Sequence, residues 1–323
     1  MKNRNLHTGT KSSVRPYIVM DANGVEYLLP NYSESFRALM DDKEIIMDML
    51  NSVLQLDGRN KIKDVKYQFE KPIDVFMPEN DPVRLDAWVE TRDRRFINIE
   101  VQNWPHAFIL DRMQLYNAYL TLRSKYDYNR SPHFKSLTKK ERRRRMYELP
   151  ETISIWLCNF PILKPKGLFK DMWAVYSEND IRTGKALPTL PKNKYIIVDL
   201  PKFARLRKKV CSREDFWLGL LSKGPTGMPC FEDPVYARAV SRLRVSNVDP
   251  KILKSLEAKM SEDEHVMEVI KADAYLKGEA EGKKAGKKEG MEKGAERERR
   301  RIVKILRSKG VSPELLNAAL AVK

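Results

Sequence analysis

Apolar and polar positions alternate along Arg84-Leu85-Asp86-Ala87-Trp88-Val89-Glu90 and again along Phe96-Ile97-Asn98-Ile99-Glu100-Val101-Gln102. A period of two predicts strands, and a three-residue loop at Arg92-Asp93-Arg94 would join them into a hairpin. In that register Asp86 faces Glu100, Arg84 faces Gln102 and Trp88 faces Asn98. Leu85, Ala87 and Val89 meet Val101, Ile99 and Ile97 on the face assigned to the core.

The flanking pattern is mixed. Residues 14–29 predict a short strand pair turned at Asn23-Gly24. Phe36, Leu39, Met40, Ile46, Met49, Leu50, Val53 and Leu54 recur at helical spacing. They predict a helix capped by Ser33 or Ser35, broken near Asp41-Asp42 and ended by Gly58. Residues 61–70 read as a strand, and residues 105–128 as a long helix burying Phe108, Leu110, Leu115, Tyr119 and Leu122. Further strands are predicted at 152–157, 173–176 and 195–198. The fold class is therefore α/β, a mixed sheet flanked by helices.

The hairpin also holds the candidate chemistry. Directly opposed carboxylates destabilise a sheet by about 0.2–1 kcal/mol, more when buried, and a hard divalent cation would offset this. Two readings stay open here: a metal site, or an ordinary solvated hairpin face.

Charge narrows the class of partner. The 323 residues carry 61 Lys and Arg against 44 Asp and Glu, a formal net charge of +17, which favours a phosphate polyanion. The densest basic cluster is Lys139-Lys140-Glu141-Arg142-Arg143-Arg144-Arg145, either a solvated face or a phosphate contact. A weaker one is Lys202, Arg205, Arg207, Lys208 and Lys209. Cys158, Cys211 and Cys230 are too separated for a disulfide framework or zinc knuckle and suit a reducing cytoplasm. The four histidines share no ligand spacing. No apolar run approaches the roughly 20 residues that cross a bilayer, and the basic segment 1–15 reads as a flexible arm.

Beyond Val235 the pattern is helical, and Gly278, Gly282, Gly286, Gly290 and Gly294 recur every fourth residue. Each glycine costs a helix about 0.8–1 kcal/mol relative to alanine, so an isolated helix is not expected. Either the segment is mobile or another helix packs on the stripe, which makes a homo-oligomer through this tail one expectation. Two short helices are predicted at the end, over 299–306 and from Ser312. The domain division expected is 1–29 as arm and short strands, 30–234 as the main domain and 235–323 as a helical tail.

Asp86 followed by Glu100-Val101-Gln102 resembles the PD-(D/E)xK nuclease signature, with Gln102 where most members carry lysine. The run Phe96-Ile97-Asn98-Ile99-Glu100-Val101-Gln102 is similar to the recombination-promoting nuclease/transposase family. Asn31-Tyr32-Ser33-Glu34-Ser35-Phe36, leading into the helix through Leu54, resembles that family's first helix, and Asp111-Arg112-Met113-Gln114-Leu115-Tyr116 resembles the helix after its motif. The likeness covers roughly residues 30–203, and the glycine repeat is similar to tails in the same family. Two features depart from the pattern: no proline precedes Asp86, and Ser33 stands where relatives often have an acid, with Glu34 as a neighbouring substitute.

The resemblance implies a restriction-endonuclease-like core and divalent-metal-dependent hydrolysis of DNA, in preference to RNA, linked to recombination or transposition. It implies Mg²⁺ or Mn²⁺ held by Asp86, Glu100 and the main-chain carbonyl of Val101, with Gln102 orienting water or a phosphate oxygen. Arg112 is a candidate for the charge that Gln102 lacks. Arg112, Lys139, Lys140, Arg142, Arg143, Arg144 and Arg145 are the expected nucleic-acid contacts. The alternative is a catalytically weak nuclease-like module that binds nucleic acid or protein.

Overall fold

The computed structural model describes residues 15–72, 84–184, 187–207, 209–226, 228, 232–310 and 312. Side chains of 260–281, 284, 285 and 288 lie outside this description. The chain divides into two compact units, residues 1–256 and 257–323.

The first unit opens with β1 (Ile18–Met20) paired to β2 (Glu26–Leu28) across the expected turn, with Gly24 at φ +77°. The next helix is broken where the two aspartates predict. α1 (Ser33–Met40) gives way to α2 (Lys43–Val53), and the Asp42 carboxylate caps α2 by accepting from the N–H groups of Glu44 and Ile45. The other helix ends differ from expectation. Tyr32 is the first cap residue and makes no side-chain cap bond, Ser35 is buried, and α2 stops at Leu54 with Gln55 left-handed, before Gly58.

Six strands form the main sheet in the order β3-β4-β5-β6-β8-β7. β3 (Val65–Pro72), β4 (Arg84–Thr91) and β5 (Arg95–Gln102) are antiparallel neighbours. β5, β6 (Glu151–Cys158) and β8 (Leu190–Asp199) run parallel, and β7 (Lys170–Val175) returns antiparallel at the edge. β5 and β6 are buried along nearly their whole length because both faces of the sheet are covered there, polar side chains included, whereas β8 is buried only over its last four residues. α3 (Ile109–Arg130) lies along β5 and β6 on one face. On the other face Ala87, Val89, Ile97 and Ile99 are buried, and α1, which reaches β4, packs with α2 and α9 (Pro234–Leu243). α7 (Leu200–Leu206) and α8 (Arg213–Lys223) continue that layer.

α3 overturns its predicted face. Tyr119 is buried, but Phe108, Leu110, Leu115 and Leu122 are exposed, while Met113, Tyr116, Asn117, Leu120, Thr121 and Ser124 face the sheet. The face it covers is itself partly polar: Thr121 Oγ1 lies 3.4 Å from Thr152 Oγ1, and Thr152 donates to Asn117 Oδ1 at 3.3 Å. A helix built for that surface carries hydroxyls and amides inward, so ranking its residues by hydrophobicity selects the wrong side.

α4 (Pro132–Ser136), α5 (Lys139–Arg144) and α6 (Glu178–Arg182) are short connectors. α10 (Pro250–Ser308) passes into the second unit as one continuous helix through all five glycines. Residues 299–306, expected as a separate short helix, are its last turns, closed by Gly310 at φ +78°. Strong helix formers surround the glycines, and ion pairs at helical spacing such as Glu289–Lys293 at 2.6 Å add to them. A Cβ on Gly282, Gly286, Gly290 or Gly294 would meet nothing within 4 Å among the described residues. Residues after Ser312, including most of the second short helix expected there, lie outside the description, as does Cys230. Among the described residues no helix is long and apolar enough to cross a membrane.

Candidate active site

The hairpin forms in the predicted register. Ala87 pairs with Ile99, Trp88 with Asn98, Val89 with Ile97 and Glu90 with Phe96. The loop is Arg92-Asp93-Arg94, and Arg94 adopts φ +66°, the left-handed residue that follows the turn in three-residue hairpins. Thr91 holds the loop through its hydroxyl, which accepts from Arg95 N–H at 2.9 Å.

Backbone pairing between β4 and β5 stops at Ala87 and Ile99, one step before the carboxylates. There the side chains take over. Asp86 N–H donates to Glu100 Oε1 at 3.2 Å, and Val101 N–H donates to Asp86 Oδ2 at 2.9 Å. The expected pairs Arg84–Gln102 and Leu85–Val101 do not form in the ladder, and Leu85 joins the buried cluster under α3 with Trp88 and Phe96. The two acids thus bridge the strands where the backbone ladder ends.

Glu100 is completely buried. Asn98, two residues earlier on the same face, donates to its Oε1 at 3.0 Å, while Oε2 has no hydrogen-bond partner. Burial pushes the Glu100 carboxyl well above the usual 4.5, and the neighbouring Asp86 charge adds to the rise. Arg112 lowers it in part. Asp86 and Gln102 are half-buried and form the more open side of the pair.

From α3, Arg112 donates to Gln102 Oε1 at 3.3 Å and to the Tyr116 hydroxyl at 3.0 Å, with its guanidinium 4.9 Å from the Tyr116 ring centre. Burial, followed by the charge of Glu100, raises Tyr116 to about 12, so it stays a neutral phenol. Arg112 Nε is buried and without a partner. Asn98 and Tyr116 were not singled out from sequence, although strand alternation gives Asn98 the face of Glu100 and helical spacing places Tyr116 one turn after Arg112.

Lys71 is a further cation that the pattern hides. It is buried on β3 with its ammonium 3.2 Å above the centre of the Trp88 ring, just after Glu70, which is left-handed at φ +48°. Glu34 lies elsewhere, accepting from Ser255 at 3.3 Å beside a polar pocket with Arg37 and Glu70. Among the described residues no group of three or more His, Cys, Asp or Glu side chains converges as a metal site.

The basic cluster is remote from the acids. Lys139, Lys140, Arg142, Arg143 and Arg144 are exposed on α5, capped by Thr138, and Arg145 follows. This segment leads into the start of β6 at Glu151, whereas Glu100 stands beside Trp156, five residues further on. Strand rise alone separates those rows by about 16 Å.

The family model for PD-(D/E)XK nuclease family transposases matches residues 36–271. The chain belongs to this family. Its mixed sheet and flanking helices are those of a PD-(D/E)XK fold, so the domain is nuclease- or transposase-like and its substrate class is nucleic acid. Nucleases of this kind generally use divalent metals. Comparison with curated proteins and with solved structures finds no match.

Proposed function

We propose that the protein is a divalent-metal-dependent DNA endonuclease whose active site is centred on Asp86 and Glu100. The observation that carries this reading is the pair itself: a buried carboxylate with an unpartnered oxygen beside a second carboxylate, on the neighbouring strands β4 and β5 of a PD-(D/E)XK domain. Unpaired buried charge is costly, and the donor set of hard oxygens suits Mg²⁺ or Mn²⁺.

Asp86, Glu100 and the main-chain carbonyl of Val101 would hold the ion, which when bound supplies an activated water and stabilises charge on the phosphate. Gln102 presents an amide that orients water or a phosphate oxygen, and Arg112, held against it, provides the positive charge that glutamine lacks. Asn98 fixes the Glu100 carboxylate, and Tyr116 fixes Arg112. Residues 30–234 form the nuclease-like domain in this proposal and 235–323 the helical tail, with a link to recombination or transposition and a cytoplasmic setting.

Gln102 in the lysine position and the burial of Glu100 favour a second reading, a catalytically weak module that binds nucleic acid or protein. One assay separates them: cleavage of plasmid DNA and of RNA with Mg²⁺ or Mn²⁺ by wild type, Asp86→Asn and Glu100→Gln. Cleavage lost in both variants with DNA binding retained is the expected result. No cleavage by wild type, or cleavage persisting in both variants, overturns the proposal.

A further inference from the structure

A cavity of about 720 Å³ opens at the amino-terminal ends of β5, β6 and β8, the end of the sheet away from the carboxylate pair. Three of its cations are matched by acids: Arg95 with Asp93 at 2.7 Å, Arg145 with Glu148 at 3.4 Å and Lys194 with Glu151 at 2.6 Å. Arg94, Lys192 and His133 also line it, and among the described residues none of them pairs with a carboxylate. The walls thus carry a surplus of donors and positive charge.

A second observation is independent of charge. Arg94 is half-buried with its guanidinium 5.5 Å from the Tyr128 ring centre, and its backbone sits at φ +66°. That conformation disfavours most side chains, and glycine or asparagine is the ordinary choice at this point of a hairpin. Strain of this kind, retained against local preference, points to a role for the side chain. The exposed arginines of α5 continue the positive surface from Arg145.

We propose that this cavity binds a phosphate group of a nucleic acid strand, through Arg94, Lys192 and His133. The identity of the strand rests on the nuclease reading; the phosphate chemistry does not. The phosphate could be a diester within the chain or a monoester at its end.

The test is fluorescence anisotropy of a short labelled single strand, with and without a 5′-phosphate, in EDTA so that no cation bridges the carboxylates. Inorganic phosphate serves as competitor. Proteins compared are wild type, Arg94→Gly and Lys192→Gln. Each variant should weaken binding roughly tenfold, the loss expected for one charge-assisted contact, and blunt competition by phosphate. Loss with both strands identifies a diester and loss confined to the 5′-phosphorylated strand identifies a terminal monoester; either supports the site. Arg94→Gly should melt no lower than wild type, because glycine relieves the backbone, so weak binding cannot be attributed to unfolding. Binding in EDTA requires no cleavage, which keeps the result separate from any failure of the nuclease reading. Wild-type affinity in both Arg94→Gly and Lys192→Gln overturns the proposal.

Discussion

Replacing Glu100 by glutamine should stabilise the metal-free protein. Glu100 is fully buried, shares its site with Asp86 and leaves Oε2 without a partner. Glutamine keeps an oxygen for the two bonds that Oε1 accepts, from Asp86 N–H and Asn98 Nδ2, while removing the charge and placing an amide donor beside the Asp86 carboxylate. A buried polar group without a partner costs about 1–3 kcal/mol, so Glu100→Gln should gain about that much at about pH 8 in EDTA. For a unit of this size each kcal/mol moves Tm by about 2–4 °C. The effect has a defined pH dependence. A carboxyl whose folded pKa lies above its unfolded value gives stability that is intact below the unfolded value and lost as pH rises through the folded one. Acidification should therefore close the gap between wild type and variant. Saturating Mg²⁺ or Mn²⁺ should do the same from the other side, since a ligand at a hundred times its Kd adds about 2.7 kcal/mol to wild type and little to the variant. Differential scanning fluorimetry with and without cation measures all of this. A metal-free Glu100→Gln that melts at or below wild type, with equal cation shifts in the two proteins, refutes the reasoning.

Gln102→Lys would bring an ammonium against Arg112, so Gln102→Lys/Arg112→Gln should cleave plasmid faster than Gln102→Lys alone, and equal rates would detach Arg112 from the site. Gln102→Ala should lose turnover. Neutralising Arg142, Arg143, Arg144 and Arg145 should lower the slope of log K against log salt by about 0.9 for each duplex phosphate released, and an unchanged slope would leave them as a solvated face. Alanine at Gly282, Gly286 and Gly290 has open space in the chain and should raise helicity by circular dichroism. Leucine at the same three positions should lower the oligomer mass in light scattering if two copies pack on the stripe, and an unchanged mass removes that role.

What was legible in the sequence follows the physics of each element. The hairpin register could be read because a strand alternates with a period of two and a one-residue slip would turn every apolar residue to the wrong face. The break between α1 and α2 was marked by Asp42, whose cap bond is local. The inner face of α3 was hidden, because Asn117 and Thr121 are buried against Thr152, distant in sequence, while Leu115 and Leu122 stay exposed. The opening of the ladder at Asp86 was hidden too. Period-two reasoning assumes that backbone pairs with backbone, and here a carboxylate is substituted for a carbonyl.

That substitution ties inheritance of the fold to one kind of side chain. Val101 N–H has Asp86 Oδ2 as its acceptor, so an aliphatic residue at position 86 would strand a buried amide between β4 and β5. A descendant that lacked the proposed nuclease activity would still be held to aspartate or asparagine there by selection for folding alone. Retention of an acidic or amide residue at position 86 across a lineage is therefore poor testimony to enzymatic life. Change at Glu100, whose buried carboxylate leaves Oε2 without a partner, is the more informative fossil.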